Sequence, residues 1–353
     1  MRKWPVFPGR IREGITEMKK KAILILSMIL AVAFTLTGCS GAGALKGTEV
    51  VATLDDSTNM QLGEFSLMLR YEQAQMETYY SGMFGSDMFR QDMGEGQTYG
   101  DMVKASMADS FEKMYILEAE APNYGVELTE EEKTAISEAA AAFMEANTAQ
   151  ARKAMGVSQE NVERVLSLMT LENKMYEALT VDVDTEVSDE EAAQKRINYV
   201  YTAKADADSE EEGTALEQNE ARQTALQNIL DEVKNGTEFK EAAEAQELSM
   251  SELTYGADST SPAEEVRTAA DELAEGEFSS IIETDTGYYL VQMASTFDRD
   301  ATDAKKETIV QTRKNELFEE KYAELAEAHT FTVNEEVMAK LTFERSYTLK
   351  MEE

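Results

Sequence analysis

Cysteine and histidine are almost absent from these 353 residues: Cys39 and His329 each stand alone. A single thiol closes no intramolecular disulfide and builds no Cys-based zinc site, and one imidazole excludes His-rich metal centres. A Ser-His-Asp triad is excluded too, unless His329, at the end of a charged helical run, supplies the base. Basic residues are scarce beside acids, with 33 Lys and Arg against 69 Asp and Glu, a net charge of −36. Such a surface repels phosphate backbones, so no nucleic-acid partner is expected. The apolar run Ala22–Leu36 covers 15 residues, short of the roughly 20 that a spanning helix needs. The side chains present are 42% apolar and 29% charged, a composition that packs a core and argues against wholesale disorder. The length suits two or three domains. Nothing in this inventory calls for a cofactor or a metal.

Lys19, Lys20 and Lys21 precede the apolar run, and Leu36-Thr37-Gly38-Cys39 comes after it. Charged, apolar and small-residue regions come in the order of a secretory signal. The tetrapeptide resembles a bacterial lipobox. That resemblance implies that the Cys39 thiol is acylated and that Cys39 becomes the first residue after cleavage. Met18 reads as the working start, because Met1–Glu17 lies ahead of the charged segment. Residues 1–38 are thus expected to be a signal peptide and 39–48 a lipidated tether, which places the chain on the extracytoplasmic face of a cell membrane. Residues 1–38 carry seven basic and two acidic side chains, leaving 33 − 7 = 26 basic and 69 − 2 = 67 acidic beyond them, a charge of −41. A body so anionic stands off an anionic membrane.

Periodicity then divides the remainder. Residues 49–54 read as a strand, followed by helices starting near Leu62, at 99–121, at 130–154 and at 158–179. Thr129 and Ser158 are natural N-caps, and acids in the first turn suit the helix dipole. Ser188-Asp189-Glu190-Glu191 opens another helix and marks a boundary. Beyond it, Arg196–Thr202 alternates as a strand does. Residues 205–219 are acidic and read as a solvated loop; beyond them come helices at 221–235, 239–245 and 264–274 and strands at 281–282 and 288–293. A long charged helix at 302–328, a strand at 331–333 and a helix at 335–341 close the chain. The order implies an α+β protein with one small α+β domain between helical segments.

Particular residues resemble a family. Val266-x-x-Ala269-x-x-x-Leu273-x-x-Gly276-Glu277-Phe278-Ser279, then Thr284-x-Thr286-Gly287-Tyr288-Tyr289, is similar to the signature of parvulin-type peptidyl-prolyl isomerase domains. Leu230, Gly236, Phe239 and Ala242 fit the upstream helix of that pattern. With its helical flanks the chain resembles the SurA and PrsA foldases, whose amino- and carboxy-terminal helices form one chaperone lobe around an inserted isomerase domain. The resemblance implies a helical chaperone lobe at 49–185, a parvulin-like domain at 189–300 and helices at 301–353 completing the lobe. It implies client polypeptides as partners and, through the lipobox, attachment outside Gram-positive cells as in PrsA. Pairing of two chains through their lobes is left open.

The residues suggest two candidate sites. Active parvulins place His in the first and last strands; here Tyr199 and Tyr289 occupy those positions, and the resemblance then implies weak or lost isomerase activity. Val266 and Phe278 would line the proline slot. Rotation about an X-Pro bond breaks no covalent bond, so catalysis would come from binding the twisted amide better than the planar one. The other site is a Met- and aromatic-rich stretch broken by glycines, where Met83, Phe84, Met88 and Phe89 are candidate client contacts, Met suiting surfaces that accept many shapes. An active isomerase and a non-enzymatic cell-envelope adaptor are the competing readings.

Overall fold

A computed structural model describes residues 33–37, 44–85, 87–205 and 212–350. The chain is α+β and divides into two compact units, one formed by residues up to Asp182 and from Leu317 onward, the other by Val183–Glu316. Cys39 and most of the leader lie outside the described residues. No helix among the described residues is long and apolar enough to cross a membrane.

The first unit opens with β1 (Phe34–Thr37), β2 (Val50–Leu54) and β3 (Thr58–Gln61). Five helices come next: α1 (Leu62–Phe84), α2 (Tyr99–Glu120), α3 (Glu130–Ala146), α4 (Ala149–Met155) and α5 (Gln159–Leu179). Their starts are written locally. The Asp101 N–H donates to Thr98 Oγ1 at 3.2 Å, the Glu132 N–H to Thr129 Oγ1 at 3.2 Å and the Asn161 N–H to Ser158 Oγ at 3.3 Å, each satisfying a donor that a helix end leaves free. The helix expected at 130–154 is two: Asn147 leaves the helical conformation, and Thr148 caps a new start by accepting from the Ala151 N–H at 3.1 Å.

The second unit runs through α6 (Asp189–Ala192), β4 (Lys195–Ala203), α7 (Glu212–Lys234), α8 (Phe239–Ala245), β5 (Met250–Tyr255), α9 (Glu264–Asp271), β6 (Ile282–Glu283) and β7 (Gly287–Ser295). The loop expected over 205–219 is therefore helical from Glu212, and β5 is a strand that periodicity does not mark. Helix α10 (Arg299–Ala326) crosses the division between the units at Glu316/Leu317. The chain ends with β8 (Phe331–Val333), α11 (Glu335–Met338) and β9 (Ser346–Leu349).

These last elements belong to the first unit. Strand β2 lies between β3 and β8, with Ala52 opposite Val333 and Leu54 opposite Phe331. A buried polar chain on α1 holds the segment that leads from α11 into β9. Arg70 Nη2 donates to the Thr342 carbonyl at 2.9 Å, Gln73 Nε2 to the Arg345 carbonyl at 2.7 Å, and the Tyr347 N–H to Glu77 Oε2 at 2.9 Å. Around them Phe65, Phe111, Tyr115, Phe143, Met155 and Leu341 form one core. Residues from both ends of the sequence thus close a single apolar interior.

Candidate functional site

In the second unit the strand order is β5-β4-β7-β6, antiparallel throughout. Alternation sends Ile197, Tyr199 and Tyr201 of β4 to one face and Val200 to the other. Val200, Tyr288 and Leu290 pack against Leu226, Ile229 and Leu230 of α7 and Phe239 and Ala242 of α8. The opposite face brings Ile197, Val291 and Met293 onto Val266 and Ala270 of α9, with Tyr199 and Tyr289 half-buried against the same cluster.

The two tyrosines do meet: their ring centroids are 5.8 Å apart at 39°. The register places Tyr201 opposite Tyr289 and Tyr199 opposite Val291, so Tyr199 and Tyr289 are diagonal neighbours. Tyr201 completes a three-ring cluster, 4.7 Å from Tyr289. The Tyr-Val-Tyr alternation of β4 held the signal for this third ring. Tyr201 Oη donates to the Thr286 carbonyl at 2.9 Å. The approach is close because residue 287 is glycine; a Cβ there would fall 2.3 Å from the Thr202 carbonyl oxygen and 2.5 Å from the Tyr201 ring.

Val266 shares this cluster but is fully buried. Phe278 is not part of it. It pairs with Gln292 in an isolated bridge, and its ring meets Phe239 edge-on at 5.0 Å, on the side of the sheet covered by α7 and α8. The expected slot with both residues as walls is therefore not assembled, because strand alternation turns Phe278 away from the tyrosines. At the end of α9, Asp271 accepts from Tyr255 Oη at 2.6 Å and Lys195 Nζ at 2.8 Å. Burial works to raise the Asp271 pKa, but Lys195 and Tyr255 outweigh it and hold the carboxyl below its ordinary value.

Chemically this face offers phenol hydroxyls. Burial, with the Tyr201 and Tyr199 phenols adding to it, pushes the Tyr289 pKa up, so Tyr289 stays protonated at neutral pH. Phenols can donate and accept one hydrogen bond to a rotated carbonyl. They lack the two-nitrogen geometry of an imidazole pair. Among the described residues no cluster of His, Cys, Asp or Glu is placed to hold a metal ion.

The other candidate site splits in two. Met83 and Phe84 lie in the last turn of α1, which runs on to Phe84 despite Gly82, and they are 76% and 51% exposed. Tyr79 and Tyr80 widen the patch, with Tyr80 and Phe84 centroids 6.4 Å apart. Met88 and Phe89, expected as client contacts in the same loop, are instead buried, at 4% and 2%. Phe89 stacks on Phe343 at 4.6 Å and meets Tyr99 at 5.5 Å. Its main partner lies some 250 residues away in sequence, so no local pattern could reveal this burial.

Residues 207–295 match the family model of the PPIC-type PPIASE (rotamase) domain. The match begins after β4 and so leaves out Tyr199. No curated protein matches the chain. Among solved structures, the foldase PrsA of Lactococcus lactis is similar at 16% identity and a TM-score of 0.35, over 82% of this chain and 97% of that one. PrsA of Streptococcus pneumoniae is similar at 18% identity and a TM-score of 0.31, over 67% and 92%. A SurA-like chaperone of Campylobacter jejuni is similar at 12% identity and a TM-score of 0.28, over 81% and 99%.

Proposed function

We propose that this chain is a membrane-tethered, extracytoplasmic protein-folding factor that holds unfolded secreted polypeptides, and that its PPIC-type domain turns over proline peptides weakly or not at all. The leader and Leu36-Thr37-Gly38-Cys39 support attachment through a lipid on Cys39; two acyl chains make such an anchor stable. The observation that carries the holding role is the exposed end of α1. Tyr79, Tyr80, Met83 and Phe84 stand in solvent on a unit whose own core is closed. Contiguous exposed apolar side chains mark interaction surfaces, and flexible Met suits varied partners.

Weak turnover rests on the tyrosine cluster. The PPIC-type match would favour an active isomerase, but phenols at 199 and 289, and a Phe278 that packs on the opposite face of the sheet, leave no imidazole pair and a slot without one wall. The test of the holding role is light scattering of a chemically denatured client diluted into the full chain. Met83→Ser combined with Phe84→Ser is expected to lose most of the suppression while its melting midpoint stays within ~2 °C, as exposed substitutions allow. Met88→Ser combined with Phe89→Ser is expected to lower the midpoint by about 10 °C or more, since buried large side chains are lost. Unchanged suppression by the first pair would remove the proposal's main support.

A further inference from the structure

Strand β1 is seated like a ligand. It runs antiparallel on β9, Phe34 opposite Leu349 and Thr37 opposite Ser346. The two edges of β9 are served differently. On one edge the Tyr347 N–H donates to Glu77 Oε2 and the Leu349 N–H to Thr78 Oγ1, each at 2.9 Å, so α1 holds that side. The other edge meets β1, and there the Lys350 N–H donates to the Ala33 carbonyl at 2.8 Å. These two strands form a sheet of their own. The Phe34 side chain is buried, its ring edge-on to Phe143 at 6.1 Å and to Tyr347 at 6.4 Å. Its N–H donates to Asn147 Oδ1 at 2.9 Å, and Asn147 Nδ2 in turn donates to the Phe143 carbonyl at 3.0 Å. A backbone edge, an aromatic pocket and a fixed amide acceptor therefore converge on four residues.

All four lie ahead of Cys39. Cleavage at Cys39, on which this inference rests together with the holding role proposed above, would carry them away. It would leave the β9 edge without its strand and the Phe143–Tyr347 pocket without its ring. We infer that this groove is a binding site for an extended client segment bearing an aromatic residue, which adds to β9 as an antiparallel strand and places its ring where Phe34 lies. Backbone pairing makes the site tolerant of sequence, and the pocket supplies the selection. Four paired residues give a short ladder, which suits a reversible hold. In the unprocessed chain the leader fills the groove, so the site opens only when the leader departs.

The experiment uses the chain processed in cells and isolated from membranes in detergent, its amino terminus read by mass spectrometry. The control is the full chain carrying Cys39→Ala, shown by mass to retain the leader. The probe is a fluorescent peptide of sequence Ala-Val-Ala-Phe-Thr-Leu-Thr, the sequence of residues 31–37, and a second peptide has Ala in place of Phe. The processed chain is expected to bind the Phe peptide saturably and the Ala peptide at least ~10-fold more weakly, the worth of one buried aromatic side chain. The leader-retaining chain is expected to bind neither. A processed chain that melts cooperatively yet ignores the Phe peptide, or binds both peptides alike, overturns the groove and leaves the tether standing. A membrane-isolated chain that still carries residues 33–37 overturns the tether, and with it the groove, which would then never empty.

Discussion

His329 lies between two carboxylates, with Nδ1 2.6 Å from Asp55 Oδ2 and Nε2 2.9 Å from Glu120 Oε1, its side chain only 11% exposed. Burial works to lower the imidazole pKa, but the hydrogen bonds to Asp55 and Glu120 outweigh it and raise the pKa above its ordinary value. A proton held more tightly in the fold than in the unfolded chain adds stability. That stability is full below the unfolded pKa of ~6.5 and fades as pH rises through the folded one. His329→Gln is thus expected to lower the melting midpoint more at about pH 6 than at about pH 9, read by calorimetry; an equal loss at both would show that the ring acts by packing alone. The sequence places His329 at a helix end but cannot show its partners, since Asp55 and Glu120 come from distant segments. Gln73 gives a second residue-scale prediction. It donates to the Arg345 carbonyl and to Glu77 while accepting from Arg70 at 2.6 Å, all in the interior. Gln73→Leu strands those groups, an expected loss of ~1–3 kcal/mol in urea unfolding.

Among the elements, what was legible had a local cause. Helices α3 and α5 announce themselves through Thr129 and Ser158, each of which caps as its residue type suggests. Strand β4 showed its period, because the central position in the sheet buries Ile197 and Val200 on opposite faces. Strand β5 lies at the sheet edge, and of its Met-Ser-Glu-Leu-Thr-Tyr run only Tyr255 is buried, so it carries little apolar alternation. The first turns of α7 hid for a related reason: Leu216, its first large apolar residue, is 65% exposed. Strand β9 is four residues long, and its partners on α1 lie some 270 residues earlier. A chain ending after Ala328 would lack β8, α11 and β9, unpair one edge of β2 and strip Arg70, Gln73 and Glu77 of their backbone partners. Its first unit is expected to lose its cooperative unfolding transition while the second keeps its own, a split that domain-resolved hydrogen exchange would report. Equal protection in both units would mean that the carboxy-terminal elements are dispensable.

At the scale of the whole molecule, the sequence points to two terminal stretches enclosing an inserted domain, and the second unit spans Val183–Glu316. The net charge of −36 over the whole sequence is repulsive toward other anionic surfaces. Placing the work of this protein in holding rather than in bond rotation makes a direct demand on kinetics. The measurement is the refolding of a client whose slow phase is limited by X-Pro isomerisation, followed by intrinsic fluorescence and light scattering together as full chain is added. The account predicts that scattering falls as the chain approaches stoichiometric amounts while the slow rate constant stays unchanged. A slow phase accelerated several-fold by substoichiometric chain, with scattering unaffected, would contradict it.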